Sequence, residues 1–169
     1  MTPILRIQGL HKRYGRVAAL AGIDLRIARG GIYGFIGPNG AGKTTTIRII
    51  AGLVRPSAGT VLLDGHDLAA GRLEAAAGLR TLVEIPAFYG NLSGRRNLAL
   101  HARLVGAPRG DVDRLLEAVA LQEAGDRHVG GYSLGMRQRL GIAQALIGRA
   151  GLVVLDGPQD GPGPARMRG

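Results

Sequence analysis

Residues 37–45 constrain the fold of this 169-residue chain more than any other stretch. They read Gly37-Pro38-Asn39-Gly40-Ala41-Gly42-Lys43-Thr44-Thr45. Two glycines five apart, then lysine, then a hydroxyl residue, make a phosphate-binding loop. The glycines let successive backbone N–H groups curl round an anion, and a following helix adds the positive end of its dipole at the same point. Lys43 can reach the β- and γ-phosphates of a nucleotide, and the Thr44 hydroxyl can ligate Mg²⁺. The context agrees: the apolar run Ile32-Tyr33-Gly34-Phe35-Ile36 precedes the loop, and a helix is predicted from Thr44 to Leu53. Gly37, Asn39, Gly40, Ala41, Gly42, Lys43, Thr44 and Thr45 are therefore candidate nucleotide-binding residues.

The length suits one compact domain with a real core. Apolar residues make up 46% and aromatics only 4%, so that core is expected to be aliphatic. Cysteine is absent, which removes disulfides and thiolate metal sites and fits a reducing compartment. No apolar stretch approaches the roughly 20 residues of a membrane span, and the N-terminus lacks a signal-peptide layout, so a cytosolic protein is expected. The formal charge of +10 raises a nucleic-acid reading. Scattered arginines, no basic run and almost no aromatics to stack bases argue against it, and no nucleic-acid partner is expected. The arginine excess over the two lysines fits the codon bias of a GC-rich gene.

Leu5-Arg6-Ile7-Gln8 and Ile23-Asp24-Leu25-Arg26-Ile27 read as strands, the second closed by Gly30-Gly31. Ile32–Ile36 reads as a strand buried on both faces of a sheet. Thr60–Leu63 and Leu79–Val83 are further strands. Ser93 can cap a helix running through Leu104, and Asp111 starts another with Val112, Leu115, Leu116 and Val119 on one face. A third helix is predicted from Ser133 to Arg149, then an apolar strand, Gly151 to Leu155, ending in Asp156. Strands alternating with helices round a phosphate loop imply an α/β fold with a mainly parallel sheet. Residues 157–169 hold four glycines and three prolines and are expected to form no regular element.

Together these motifs resemble the ATP-binding subunits of ABC transporters, over residues 4 to about 156. The resemblance implies a P-loop NTPase sheet with an ABC-type β-rich N-terminal part and a helical subdomain, so that residues 1–156 form an incomplete ATP-binding domain and 157–169 a degenerate tail. Tyr14, in Lys12-Arg13-Tyr14-Gly15, stands where the family stacks an aromatic ring on adenine. Ser133-Leu134-Gly135-Met136-Arg137-Gln138 looks like the signature motif, which meets the γ-phosphate of a nucleotide held by the opposite subunit. Asp156 matches the acidic end of the Walker B strand and, with Thr44, is expected to orient Mg²⁺. The wording of Leu82 to Tyr89, with Asn91-Leu92-Ser93 and Asn97-Leu98, is similar to the bacitracin-type drug-exporter branch. Glu84 there occupies the position of the Q-loop glutamine, which contacts Mg²⁺ and the attacking water.

The pattern departs after Asp156. The family expects a glutamate next, as general base for the attacking water, and this chain has Gly157. Pro162-Gly163 stands where the D-loop Leu-Asp should follow, and His11, His66, His101 and His128 all precede Asp156, so none matches the switch histidine. They are read as surface or loop residues. On the family's topology, a strand after Walker B inserts between the two central strands. Without it, buried backbone groups would each cost about 1–3 kcal/mol against a total stability of about 5–15, so the chain alone is expected to be marginal.

The implied function is the energising subunit of an exporter. It would bind ATP and Mg²⁺, pair head to tail with a second ATP-binding subunit, and serve separate membrane-spanning permease subunits at the inner face of the cell membrane. With Gly157 in place of the base, hydrolysis is expected to be impaired. The alternatives are a non-catalytic ATP-binding partner or truncated product and, less favoured, a soluble ABC protein acting on ribosomes or DNA. A P-loop GTPase would need an Asn-Lys-x-Asp that neither lysine is placed to supply, and a small-molecule kinase leaves the Ser133 motif unexplained.

Overall fold

The computed structural model describes residues 2–70, 78–83, 87–108, 110–148 and 150–156. Its N-terminal part is a four-stranded sheet of β1 (Leu5–Tyr14), β2 (Val17–Ile27), β3 (Ala58–Leu63) and β4 (His66–Asp67), in spatial order β2-β1-β3-β4. All its pairings are antiparallel. Parallel pairing occurs between β5 (Leu79–Leu82) and β6 (Leu152–Leu155). The expectation of a mainly parallel sheet is thus corrected among the described residues.

β1 runs six residues past the predicted Gln8. Leu5, Ile7 and Leu10 are all buried, which breaks strict alternation. The register against both neighbouring strands shifts between Ile7 and His11. Such an irregularity moves the apolar set from odd to even positions without turning the strand over. Gly9 sits at the shift with φ 52°, its N–H donating to the Asp24 carboxylate at 2.9 Å.

α1 (Lys43–Ile50) lies on this sheet, its Ile49 and Ile50 joining Leu5, Ile7, Leu10, Leu20, Val61 and Leu63 in one apolar cluster. Leu79, Leu152 and Val154 pack against the same cluster, so β5 and β6 share it. α1 stops three residues short of the expected Leu53 because Gly52 takes a left-handed φ of 72° just past its end.

Residues 32–36 overturn the buried-strand expectation. They form no strand, and Ile32 and Ile36 are 104% and 90% exposed. A strand covered on both faces needs ladder partners on its edges, and among the described residues no strand pairs with this run.

The helical part follows: α2 (Gly94–Leu104), α3 (Asp111–Ala118) and α4 (Leu134–Leu146), with a 3₁₀ turn at Val129–Gly131. Leu98, Leu115, Leu116, Leu121, Leu140 and Ile147 make a second cluster, with Val112 and Val119 against it as predicted for α3. The two clusters are almost entirely aliphatic, as expected, with Tyr132 the exception. α4 ends before the expected Arg149, which lies outside the described residues. Ile147 is extended, and the Gly148 N–H turns away to the Asp111 carboxylate at 3.0 Å, a contact between helices that outcompetes another helical turn. Among the described residues no helix is long and apolar enough to cross a membrane.

Ser93 caps α2 as predicted, its hydroxyl accepting from Arg96 N–H at 3.2 Å while 8% exposed. Ser93→Ala is expected to lower unfolding free energy by about 1 kcal/mol, read as a lower urea midpoint at unchanged slope. An unmoved midpoint would show that the cap contributes nothing.

Candidate functional site: a nucleotide cradle

The phosphate loop folds as its glycines require. Gly40 and Gly42 have φ of 83° and 82°, and Ala41 N–H closes a turn onto the Pro38 carbonyl at 3.2 Å. Gly42 also caps α1 while pressed against β2. A Cβ there would lie 2.3 Å from Leu20 Cδ2 and 2.8 Å from the Ala19 carbonyl oxygen. Thr46, fully buried, donates from both its N–H and its hydroxyl to the Gly42 carbonyl, at 2.8 and 3.0 Å. Thr46 thus anchors the loop, while Thr44 and Thr45 remain half-buried at the start of α1.

Lys43 folds back over this loop, donating to the Gly37 carbonyl at 2.6 Å and the Pro38 carbonyl at 2.8 Å. The ammonium therefore sits beside the loop before any anion arrives. No acidic residue stands in the first turn of α1 to compete for it.

Tyr14 ends β1 and is 49% exposed. Its cross-strand neighbour Val17 is 67% exposed, so the hairpin tip carries an apolar pair open to solvent. Lys12 lies over the Tyr14 ring, its Nζ 4.9 Å from the centroid, and donates to the Arg55 carbonyl at 2.8 Å. Neither Lys12 nor Val17 was singled out from the sequence. The partner of Lys12 is 43 residues away, which no local pattern encodes.

Ser133 caps α4, its hydroxyl accepting from Met136 N–H at 3.2 Å and its carbonyl accepting from Arg137 N–H at 3.0 Å. The Arg137 guanidinium donates back to the Tyr132 carbonyl, locking the turn before the helix. Tyr132, 3% exposed, donates its hydroxyl to the Ala124 carbonyl at 2.6 Å, and burial pushes its pKa up, so it stays a donor. Leu134 and Gly135 are exposed, and Gln138 is half-buried.

Asp156 follows β6, its N–H held by the Leu82 carbonyl at 2.8 Å. Among the described residues no three His, Asp or Glu side chains gather into a metal site. Thr44 and Asp156 offer the hard oxygen donors that Mg²⁺ takes. Glu84 and Gly157 lie outside the described residues. His101 is not a surface residue: it is half-buried between α2 and α4, its Nδ1 3.4 Å from Gln144 Nε2. Burial, then the charge of Arg80, hold its pKa below the ordinary value.

The phosphate loop, Tyr14 and β6 are thus built on the N-terminal cluster, and the Ser133 motif on the helical cluster. Comparison with known proteins points the same way. The family profile described as "ABC transporter" matches residues 20–160. The bacitracin transport ATP-binding protein BcrA of Bacillus licheniformis is 40% identical over 169 residues, covering 99% of this chain and 55% of that protein. The daunorubicin resistance ATP-binding protein DrrA3 of Streptomyces coeruleorubidus is 42% identical, covering 95% and 52%. The lantibiotic transport ATP-binding protein SrtF of Streptococcus pyogenes is 37% identical, covering 95% and 69%. A solved structure, "Structure of ATP binding subunit of ABC transporter", superposes with a TM-score of 0.72 at 29% identity, covering 83% of this chain and 60% of that one. The chain spans about half the length of BcrA and DrrA3.

Proposed function

The chain belongs to the ABC transporter family, as an ATP-binding subunit related to the bacitracin, lantibiotic and drug-resistance branch, and we propose that it binds MgATP to energise an exporter. The observation that carries this reading is the left-handed Gly40–Gly42 loop with the Lys43 ammonium folded over it at the start of α1. On binding, Lys43 exchanges two carbonyl partners for β- and γ-phosphate oxygens. The loop N–H groups take the remaining phosphate charge, and the Tyr14 ring takes the base. Mg²⁺, held by Thr44 and Asp156, would neutralise charge on the phosphates.

The Ser133 motif rests on a different apolar cluster from the phosphate loop, which suits a role toward a second subunit. A head-to-tail pair would place Ser133, Leu134, Gly135 and the first amides of α4 at the γ-phosphate of the partner's nucleotide. Membrane-spanning permease subunits, encoded separately, would receive the motion at the inner face of the membrane. Glu84 is proposed for the Q-loop role. Residues 1–156 carry this ATP-binding domain, and Gly157 leaves it without the expected general base. A second reading follows from that residue: the chain acts as the non-turning half of a heterodimer.

Lys43→Ala tests the binding reading. Loss of charge-assisted hydrogen bonds, each worth about 1.5–3 kcal/mol, is expected to weaken MgATP binding about ten- to hundredfold in calorimetric titration. Unchanged affinity would remove the loop from the nucleotide site.

A further inference from the structure

We propose that Lys12 is a positioning residue for the nucleobase, fixing the Tyr14 ring and tuning the face it presents. The inference rests on the reading of Tyr14 as the base platform. Lys12 and Tyr14 are two apart on β1, and Lys12 Nζ stands 4.9 Å from the ring centroid, within cation–π range. An ammonium on one face of an aromatic ring has two consequences. It blocks that face, and it draws π density toward itself, leaving the opposite face a better stacking partner for an electron-rich purine. The ring remains 49% exposed, so Lys12 does not bury it.

The ammonium is itself held. It donates to the Arg55 carbonyl at 2.8 Å, and the residues just before Arg55 are tied to α1, with Leu53 and Val54 N–H both donating to the Arg48 carbonyl. α1 carries the phosphate loop at its other end. A second tie runs alongside: Arg13 N–H donates to the Ser57 hydroxyl, and Ser57 N–H to the His11 carbonyl. The base platform and phosphate cradle are therefore joined through Lys12 across about 12 Å of helix. The chain has two lysines against twenty arginines, and both touch this site. Lysine supplies a compact charge with several donors, which fits between a ring face and a carbonyl.

The test titrates the whole chain with ATP and with inorganic tripolyphosphate, which has no base. Lys12→Met is expected to lose about two- to fivefold in ATP affinity, because a Tyr14 ring no longer held in place must be immobilised on binding, with tripolyphosphate affinity unchanged. The unchanged tripolyphosphate binding also shows that the variant is folded. Lys12→Arg, which keeps the charge but is bulkier than the ammonium that fits between ring and carbonyl, is expected to recover only part of the loss. In the Tyr14→Ala background Lys12→Met should cost nothing further, because the two act as a unit. ATP affinity unchanged or tightened by Lys12→Met, while Tyr14→Ala weakens it, overturns the assignment of Lys12 alone. ATP affinity unchanged by Tyr14→Ala removes the platform itself.

Discussion

Gly157→Glu is expected to raise ATP hydrolysis about 10²–10⁴-fold at saturating MgATP, the usual worth of a positioned general base. The pairing of β6 with β5 and the Asp156 N–H bond to Leu82 fix the chain direction at the last described residue. Asp156 is proposed to serve Mg²⁺, and the family resemblance assigns the residue after it, Gly157 in this chain, to the general base for the attacking water. Glycine there has no atom that can accept a proton. A glutamate would supply one, whereas Gly157→Gln would match its size without the basicity. Single-turnover phosphate release on both variants separates these effects. Glutamine matching glutamate would show that shape, not proton transfer, was missing. No gain from either, at unaltered ATP affinity, would place the deficit elsewhere in the chain.

What was legible in the sequence was local. The Ser93 cap, the opening of a helix at Ser133 and the apolar face of α3 depend on residues within about two helical turns of one another, and each appears as read. What depended on distant partners was not legible. Residues 32–36 have the composition of a buried strand, yet a strand exists only beside another, and here none pairs with them. The end of α4 is set by Asp111 reaching Gly148, 37 residues away. β1 was read as stopping at Gln8 because the apolar phase changes there, and only the shifted register on both flanks shows that the strand continues. The Lys12 bridge belongs to the same class. Its two ends, the Tyr14 ring and the Arg55 carbonyl, are brought together by the sheet and α1.

Gly42→Ala is expected to cost about 2–5 kcal/mol of stability and to abolish tight nucleotide binding. Two penalties combine. A left-handed alanine costs about 1–2 kcal/mol. Forcing a methyl into packed surroundings adds about 1–3. The methyl would meet Leu20 Cδ2 and the Ala19 carbonyl oxygen, and the carbonyl belongs to β2 backbone, which has no rotamer to yield. Leu20 is 3% exposed within the N-terminal cluster, so displacing it disturbs the core under α1. Gly40→Ala is the control. Gly40 has almost the same φ, but a Cβ there meets nothing within 4 Å. It should lose only the conformational term, about 1–2 kcal/mol, and the unfolded-chain effect of the substitution is the same in both variants. Urea unfolding of the pair isolates the close approach. Equal midpoints would mean that β2 moves aside freely, and the loop would then owe its shape to backbone preference alone. A large gap would mean that the cradle is braced by the sheet, so that loop shape and N-terminal core are lost together.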